Sequence, residues 1–254
     1  MLLNTEFFMK DYSEDHLLDR KVKIFQPDDG YHASSDAVLL ASAVVDVKRN
    51  DSILDVGSGT GAVSLCLAQR LKDKNISVCG LEIQPRLAEL ANLSAAANGF
   101  DFVKFINADI KDCPLPFCSF SHVVSNPPYA EKDLPSPNGS KSAAHNFSSV
   151  PNLGEWIKFC IKMIRPQGYF YMINRAEALG EILYHLHGKL GGIRILPLTS
   201  KSGQNAKRVI VTARKDCKAP TILCPPLTIH TPGGGHTPEA EALLRGGQSI
   251  SSFV

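Results

Sequence analysis

Short apolar runs alternate along the chain with segments whose apolar residues recur at helical spacing. An apolar run of about four to eight residues is typical of a buried strand, and recurrence at i, i+3 and i+4 is typical of an amphipathic helix. The predicted strands are residues 52–56, 76–81, 102–106, 121–125, 169–173, 193–198 and 208–213. The predicted helices are residues 62–71, 85–98, 153–164 and 176–189. This order predicts an α/β fold with a doubly wound, mostly parallel sheet, and the last two strands predict an antiparallel hairpin at its edge.

Three segments lie outside this alternation. Residues 1–33 form a mixed leader and residues 216–254 form an extension rich in Pro and Gly, so we place the main domain at residues 34–215. Within that domain, residues 130–150 are rich in Ser, Pro, Asn and Ala and predict a long exposed loop. A loop of that length in a compact domain is usually functional or disordered.

The first predicted strand ends in the glycine-rich turn DVGSGTG, and a helix follows. Gly57, Gly59 and Gly61 permit a tight turn and a close approach of the backbone to a ligand, and the helix N-terminus offers free N–H groups. Glu82 ends the second predicted strand, where a carboxylate can accept hydrogen bonds from both hydroxyls of a ribose. We therefore assign Glu82 and the adjoining Ile83 to the pocket of a nucleoside cofactor.

The turn by itself fits two kinds of cofactor, because GSGTGA also matches the fingerprint of dinucleotide-binding folds. Two carboxylates favour S-adenosylmethionine. Asp55, at the end of the first strand, suits the cationic amino group of the methionine portion, and Asp109, after the third strand, suits the adenine amino group. We therefore predict S-adenosylmethionine as cofactor and S-adenosylhomocysteine as product.

The fourth predicted strand ends in a second motif, Asn126-Pro127-Pro128-Tyr129. A conjugated amino group is a poor nucleophile because its lone pair is delocalised. The side-chain carbonyl of Asn126 and the backbone carbonyl of Pro127 can accept its two N–H bonds, while Pro128 keeps the preceding residue extended. Tyr129 offers a flat face on which a base can stack. Ligands of open α/β sheets bind at the carboxyl ends of the strands, so both motifs are expected at one site.

Composition limits the remaining possibilities. The chain is 44% hydrophobic and 20% charged, as in ordinary globular proteins. We find no apolar run of the roughly 18 residues that span a membrane and no CxxC pair among the seven cysteines. We therefore expect a cytoplasmic protein with reduced thiols, no membrane association and no metal.

The net charge of +2 neither requires nor excludes a nucleic-acid partner, but its distribution is uneven. Residues 201–218 carry six bases against one acid. Such a stretch can bind phosphates through counterion release, and it can also blunt an exposed strand edge. The candidate RNA-binding side chains are Lys207, Arg208, Arg214 and Lys215.

These motifs resemble the class I, Rossmann-like amino-methyltransferases with an NPPY motif. The segments QPDDGYHASSDAVLLASAV, ILDVGSGTGAVSLCLA, GLEIQPRLAELANLSAAANG and VVSNPPY are similar to the bacterial tRNA1(Val) adenine-37 N6-methyltransferase family. The tail GGGHTPEAEALLRGG resembles the alphaproteobacterial branch of that family. The resemblance implies N6-methylation of adenine in tRNA, and it implies that Tyr31, Ser35 and Asp36 line the cofactor pocket beside the methionine portion.

Other functions remain open at this point. A protein glutamine N5-methyltransferase acting on a release factor uses the same NPPY chemistry, although the 33 residues before the shared core are short for its recognition domain. DNA or small-molecule amino-methylation is a further alternative. Intact glycines and NPPY disfavour a non-catalytic binding module, and NPPY has no role in hydride transfer. We interpret His145 and His236 as surface or packing residues and Trp156 as a core residue.

Overall fold

The computed structural model describes residues 11–29, 32–128 and 151–250. Its strands are β1 (Tyr12–Leu17), β2 (Val22–Pro27), β3 (Ser52–Val56), β4 (Ser77–Glu82), β5 (Val103–Asn107), β6 (Phe120–Ser125), β7 (Ile164–Arg175), β8 (Leu190–Thr199), β9 (Arg208–Lys215), β10 (Ile222–Leu223) and β11 (Leu227–Thr228). Its α-helices are α1 (Ser35–Ala43), α2 (Ala62–Leu71), α3 (Pro85–Ala97), α4 (Leu153–Met163), α5 (Leu179–Leu186) and α6 (Pro238–Leu244).

The central sheet has the predicted α/β architecture. Among the described residues it has nine strands in the order β10-β8-β9-β7-β6-β3-β4-β5, and β11 also pairs with β8. The strands from β3 to β7 run parallel, whereas β9 is antiparallel to both β7 and β8. The predicted antiparallel hairpin is therefore confirmed. It does not end the sheet, because β10 and β11 add to β8 in parallel.

Apolar side chains pack on both faces of this sheet. One cluster of buried residues joins α1 and α2 with the sheet, and a second joins α4 and α5 with it. Two-sided burial explains why every residue of β6, and every residue of β3 after Ser52, is buried instead of every second one. No helix in the described part of the chain is long and apolar enough to cross a membrane.

The leader contains a hairpin that the sequence pattern did not predict. Strand β1 carries Ser, Glu, Asp and His, so no apolar alternation marks it. The turn is formed by Leu18, Asp19 and Arg20 in left-handed conformations without a glycine. The side chain of Asn98 in the loop after α3 accepts from Lys23 N at 2.9 Å and donates to Lys23 O, so it satisfies the outer edge of β2.

The tail also folds against the domain. Ala240 and Leu243 of α6 are buried, and the amide of Ile250 donates to Ser42 O in α1 at 2.9 Å. Arg70 of α2 donates to Gly247 O at 3.0 Å and to Ala41 O, so one guanidinium joins the tail to α1 and α2. The division at residues 33 and 215 stays a proposal about folding units.

We expect Arg70→Ala to lower the free energy of unfolding by about 2–3 kcal/mol, because hydrogen bonds from a charged donor to the tail and to α1 are lost together. Urea denaturation measures the change. Lys72→Ala, one residue beyond the same helix and exposed, is the control and should stay within about 0.5 kcal/mol of the wild type. Equal stability of both variants would mean that the guanidinium does not hold the tail.

Candidate active site

A cavity of about 530 Å³ opens at the carboxyl ends of the parallel strands. Its wall combines the turn after β3, the end of β4, the residues after β5 and the residues after β6. Sequence-predicted site residues on this wall are Gly57, Gly59, Glu82, Ile83, Asp109, Asn126, Pro127 and Pro128. The structure thus places the two motifs in a single cavity, as the strand-end argument predicts.

The glycine turn is held against the end of β4. The amides of Gly57 and Ser58 both donate to Leu81 O, at 2.9 and 3.1 Å. Gly59 has φ +56°, and a Cβ built there would meet no atom within 4 Å, so its backbone faces open space. A Cβ at Gly57 would lie 2.7 Å from Trp156 Cζ2, so only glycine fits beneath that ring.

Glu82 is the carboxylate that organises this end of the cavity. It is 6% exposed, and it accepts from Gly59 N at 2.9 Å and from Gln84 N at 2.8 Å. Each carboxylate oxygen has a further lone pair for a ligand hydroxyl. Asp109 begins a short 3₁₀ turn and accepts from Lys111 N at 3.0 Å, while Ile83 is 57% exposed at the rim.

The acceptor end of the cavity follows β6. Asn126 is half-buried, Pro127 is buried and Pro128 is exposed. The residue before them, Ser125, donates through its hydroxyl to Val56 O of β3 at 2.8 Å. The strand that carries the asparagine is therefore tied to the strand that carries the glycine turn. Tyr129 and Tyr31, both predicted for this site, lie outside the described residues.

Asp55 does not line the cavity, contrary to the sequence expectation. Its carboxyl is 1% exposed and accepts from Ser64 Oγ of α2 at 2.8 Å. Burial raises the pKa of the Asp55 carboxyl to about 7, the hydrogen bond from Ser64 opposes this rise, and the charge of Glu82 adds to it. Its side chain faces α2, away from the cavity surface where a methionine amino group would bind.

Gly61 and the predicted α1 residues are also absent from the cavity wall. A Cβ at Gly61 would lie 2.6 Å from the Phe105 ring, so this glycine serves packing below the turn. At α1 the wall is formed by Ala33 and Ala37 in place of Ser35 and Asp36. The carboxylate of Asp36 instead accepts from Arg208 Nε at 3.1 Å.

The four predicted RNA-binding cations do not form one surface. Arg208 pairs with Arg175 at the carboxyl edge of the sheet, and Lys207 precedes it, whereas Arg214 pairs with Tyr169 six residues farther along β9. Six residues of strand span about 20 Å. Arg214 lies over the Tyr169 ring, and Lys215 Nζ donates to Ile164 O at 2.7 Å. Both side chains thus make intramolecular contacts at the edge of the sheet opposite the cavity.

Trp156 and Arg175 are among the cavity-wall residues that the sequence analysis did not assign to the site. Trp156, predicted as a core residue, lines the cavity, and its indole N–H donates to Ser125 Oγ at 2.8 Å. Arg175, the last residue of β7, also lines it. Sheet topology could have identified both residues. Trp156 lies in the first turn of α4, which begins at the cavity edge of the sheet, and Arg175 is the last residue of a parallel strand that ends at the same edge.

The residues present fit S-adenosylmethionine. A carboxylate, an open glycine backbone and an apolar wall match a ribose, a polar amino-acid portion and an adenine ring. Within the described ranges, the buried hydroxyls Ser58 Oγ and Thr60 Oγ1 of the turn also have no hydrogen-bond partner. Such unpaired groups are uncommon in proteins and are typical of sites that bind a ligand or water.

Comparisons with known proteins agree with this arrangement. A family model described as a methyltransferase domain matches residues 47–209. The tRNA1(Val) (adenine(37)-N6)-methyltransferase of Actinobacillus pleuropneumoniae serotype 5b (strain L20) is 30% identical over 181 residues, which cover 70% of this chain and 75% of that protein.

Solved structures confirm the fold. A predicted O-methyltransferase from Agrobacterium tumefaciens superimposes with a TM-score of 0.70 and 27% identity, over 85% of this chain and 97% of that chain. TYW2 of M. jannaschii, solved in complex with AdoMet, has a TM-score of 0.55 and 12% identity, over 81% of this chain and 86% of that chain. These likenesses confirm the class I methyltransferase fold, and the cavity described above fits the AdoMet that the TYW2 structure contains.

We expect Glu82→Gln to weaken binding of S-adenosylmethionine by about 10- to 100-fold, because hydrogen bonds to a charged acceptor are replaced by weaker ones. Isothermal titration calorimetry measures the affinity. Glu89→Gln removes the same charge from an exposed position of α3 and should leave binding unchanged. If both variants bind like the wild type, Glu82 does not contact the cofactor.

Asp55 gives a pH-dependent prediction. Its folded pKa of about 7 exceeds the ordinary value of 3.8, so between these values the folded protein holds a proton that the unfolded chain releases. This contribution is full below the unfolded pKa, and it is lost as pH rises through the folded pKa, by about 1.4 kcal/mol per pH unit. Relative to Asp55→Asn, the wild type should therefore lose stability between about pH 4 and about pH 7. Parallel pH profiles of the two proteins in urea unfolding would contradict the assignment.

Proposed function

Because the chain belongs to the S-adenosylmethionine-dependent methyltransferase family that includes the tRNA1(Val) (adenine(37)-N6)-methyltransferases, we propose that it methylates N6 of an adenine in tRNA. One observation carries the proposal. Asn126 and Pro127 lie on the wall of the cavity that also contains Glu82 and the glycine turn. An amino group bound by their carbonyls would therefore lie beside the cofactor.

In the proposed reaction, the Asn126 side-chain carbonyl accepts one N–H of the adenine amino group and the Pro127 carbonyl accepts the other. These two bonds turn the nitrogen lone pair out of conjugation and toward the donor. S-adenosylmethionine supplies the methyl group and leaves as S-adenosylhomocysteine. The nitrogen loses its proton after the new bond forms, so a strong base is unnecessary, and the acceleration comes from positioning and electrostatics.

The remaining assignments divide the cavity between cofactor and substrate. Glu82 would bind the ribose hydroxyls of the cofactor, and Asp109 would accept from its adenine amino group. Tyr129 is proposed to stack on the substrate base and Tyr31 to contact the methionine portion, although both lie outside the described residues. The partner is RNA, most simply tRNA, and we propose a cytoplasmic location for an enzyme with that substrate.

Other acceptors are outcomes of the test. The Agrobacterium structure is described as a predicted O-methyltransferase, and transfer to a hydroxyl requires removal of its proton to make a competent nucleophile. Asn126 and Pro127 offer carbonyl acceptors for N–H groups, which favours a nitrogen. The side-chain amide of a release-factor glutamine, the amino groups of DNA bases and small amines could all donate N–H groups to the same carbonyls. Methyl transfer to each of them must therefore be measured beside transfer to tRNA.

We expect the purified protein to transfer labelled methyl groups from S-adenosylmethionine into tRNA that lacks the modification, with N6-methyladenosine as the product nucleoside. Asn126→Ala should lower kcat/KM by about 100-fold or more while cofactor affinity is retained. Asn75→Ala is the control. Asn75 lies in the loop before β4 and does not line the cavity, and within the described part of the chain its side chain hydrogen-bonds only with Asn50.

The outcomes separate the alternatives. N6-methyladenosine that disappears in Asn126→Ala supports both the chemistry and the substrate. Full activity of Asn126→Ala would contradict the role of the asparagine. Absence of transfer to tRNA, with transfer to a release-factor glutamine, DNA or a hydroxyl, would replace the proposed substrate and leave the methyltransferase in place.

A further inference from the structure

We infer that the loop between β8 and β9, residues 200–207, together with Arg175, binds the phosphates that flank the methylated base. We call this surface the site-edge basic loop. The inference rests on the proposed function, because it names the surface by which the same active site holds an RNA strand. It replaces the surface that the basic stretch of residues 201–218 suggested, since half of that stretch lies at the opposite edge.

The site-edge basic loop adjoins the cavity directly. Arg175 ends β7, lines the cavity and pairs in register with Arg208 at the start of β9. The amide of Ala176 donates to Lys207 O at 3.1 Å, so Lys207 is fixed beside the residue that follows Arg175. A base inserted into the cavity leaves its own backbone at the rim, and these two cations are then next to its phosphates.

Backbone hydrogen bonds hold the loop in place. Strand β11 pairs with the last residues of β8, and the amide of His230 donates to Ser200 O at 2.8 Å. Within the loop, Gln204 N donates to Lys201 O at 3.2 Å, and Lys201 Nζ reaches Pro232 O at 3.4 Å. The tail thereby supports a loop whose two lysines, Lys201 and Lys207, remain exposed.

The charge of this surface suits a polyanion. Residues 200–207 contain two lysines, no acid, and the polar side chains of Ser, Gln and Asn. Arg175 contacts Glu177 at 3.5 Å, but that glutamate is 77% exposed, and an exposed ion pair contributes little free energy. Loss of the ion pair with Glu177 on phosphate binding would therefore cost little free energy.

The opposite edge supplies cations of the same kind without access to the cavity. Lys189 precedes β8 and Lys218 follows β9, and both are exposed. Because β9 runs antiparallel to β7, these two lysines lie at the amino ends of the parallel strands, about one strand length from the cavity. They match Lys201 and Lys207 in chemistry and exposure and differ in position, which makes them the control.

The test is binding and methylation of unmodified tRNA by the full-length protein in the presence of S-adenosylhomocysteine or S-adenosylmethionine, respectively. Lys201→Glu with Lys207→Glu should weaken tRNA binding by about 10-fold or more, and Lys201→Gln with Lys207→Gln should weaken it less. The slope of log affinity against log salt should become shallower by about 1.5 in the glutamine variant. Lys189→Glu with Lys218→Glu, an equal change in net charge, should bind tRNA like the wild type, and calorimetry should give unchanged cofactor affinity in every variant.

The inference would be overturned if the Lys201→Glu, Lys207→Glu variant and the Lys189→Glu, Lys218→Glu variant lost tRNA binding equally. Binding would then depend on the net charge of the protein and not on the position of the lysines. Unchanged tRNA binding in the Lys201 and Lys207 variants would also overturn it, while wild-type formation of N6-methyladenosine would keep the proposed function. A wild-type protein that neither binds nor methylates tRNA would overturn both, and its transfer to another acceptor would show that the enzyme is intact.

Discussion

The hydrogen bond from the Gly59 amide to the Glu82 carboxylate is the contact on which the proposed site depends. It joins the turn after β3 to the end of β4, and the amides of Gly57 and Ser58 reinforce this junction through Leu81 O. A carboxylate at this point would repel a phosphate, whereas it would accept ribose hydroxyls. The same contact therefore shapes the turn and holds in place the carboxylate that we propose as the partner of the cofactor ribose.

Neighbouring strands then bring the acceptor to the donor. In the sheet β6 lies beside β3, and Val56 pairs with Ser125, the residue before Asn126. Adjacent strands are about 4.8 Å apart, so the register alone brings Asn126 to the side of the glycine turn. The hydroxyl of Ser125 donates to Val56 O and accepts from the Trp156 indole, which also covers Gly57. One side chain from α4 thus packs against both halves of the site.

The local sequence pattern predicted the structure correctly where a feature depends on a single helix or strand. Strand β3 and helix α2 have the bounds that periodicity predicts, and both motifs line the cavity because they follow strand ends. The pattern was insufficient where a side chain chooses between two faces or two partners. Asp55 turns toward Ser64, and Asp36 binds Arg208, contacts that depend on α2 and β9 and leave no trace in the spacing of residues.

The charge pattern was the least informative signal, because residues that are close in the sequence can lie far apart along an extended strand. Residues from Lys207 to Lys215 appear as one basic stretch, yet Arg208 and Arg214 lie near opposite ends of β9. The position of each cation along β9, and the direction in which that strand runs, decide which of them lie at the cavity edge. The β1–β2 hairpin was missed because β1 has no alternation of apolar residues. The outer backbone edge of β2 is hydrogen-bonded by the side chains of Asn98 and Ser94 instead of by another strand.

The central claim is that the cavity orients the donor toward Asn126 and Pro127, and a crystal structure with sinefungin tests it most directly, because an amine in that analogue replaces the transferable methyl group. The account predicts that the ribose hydroxyls bind the Glu82 carboxylate and that the amine hydrogen-bonds with Asn126 Oδ1 or Pro127 O. A ribose bound away from Glu82, or an amine directed away from both carbonyls, would contradict the account.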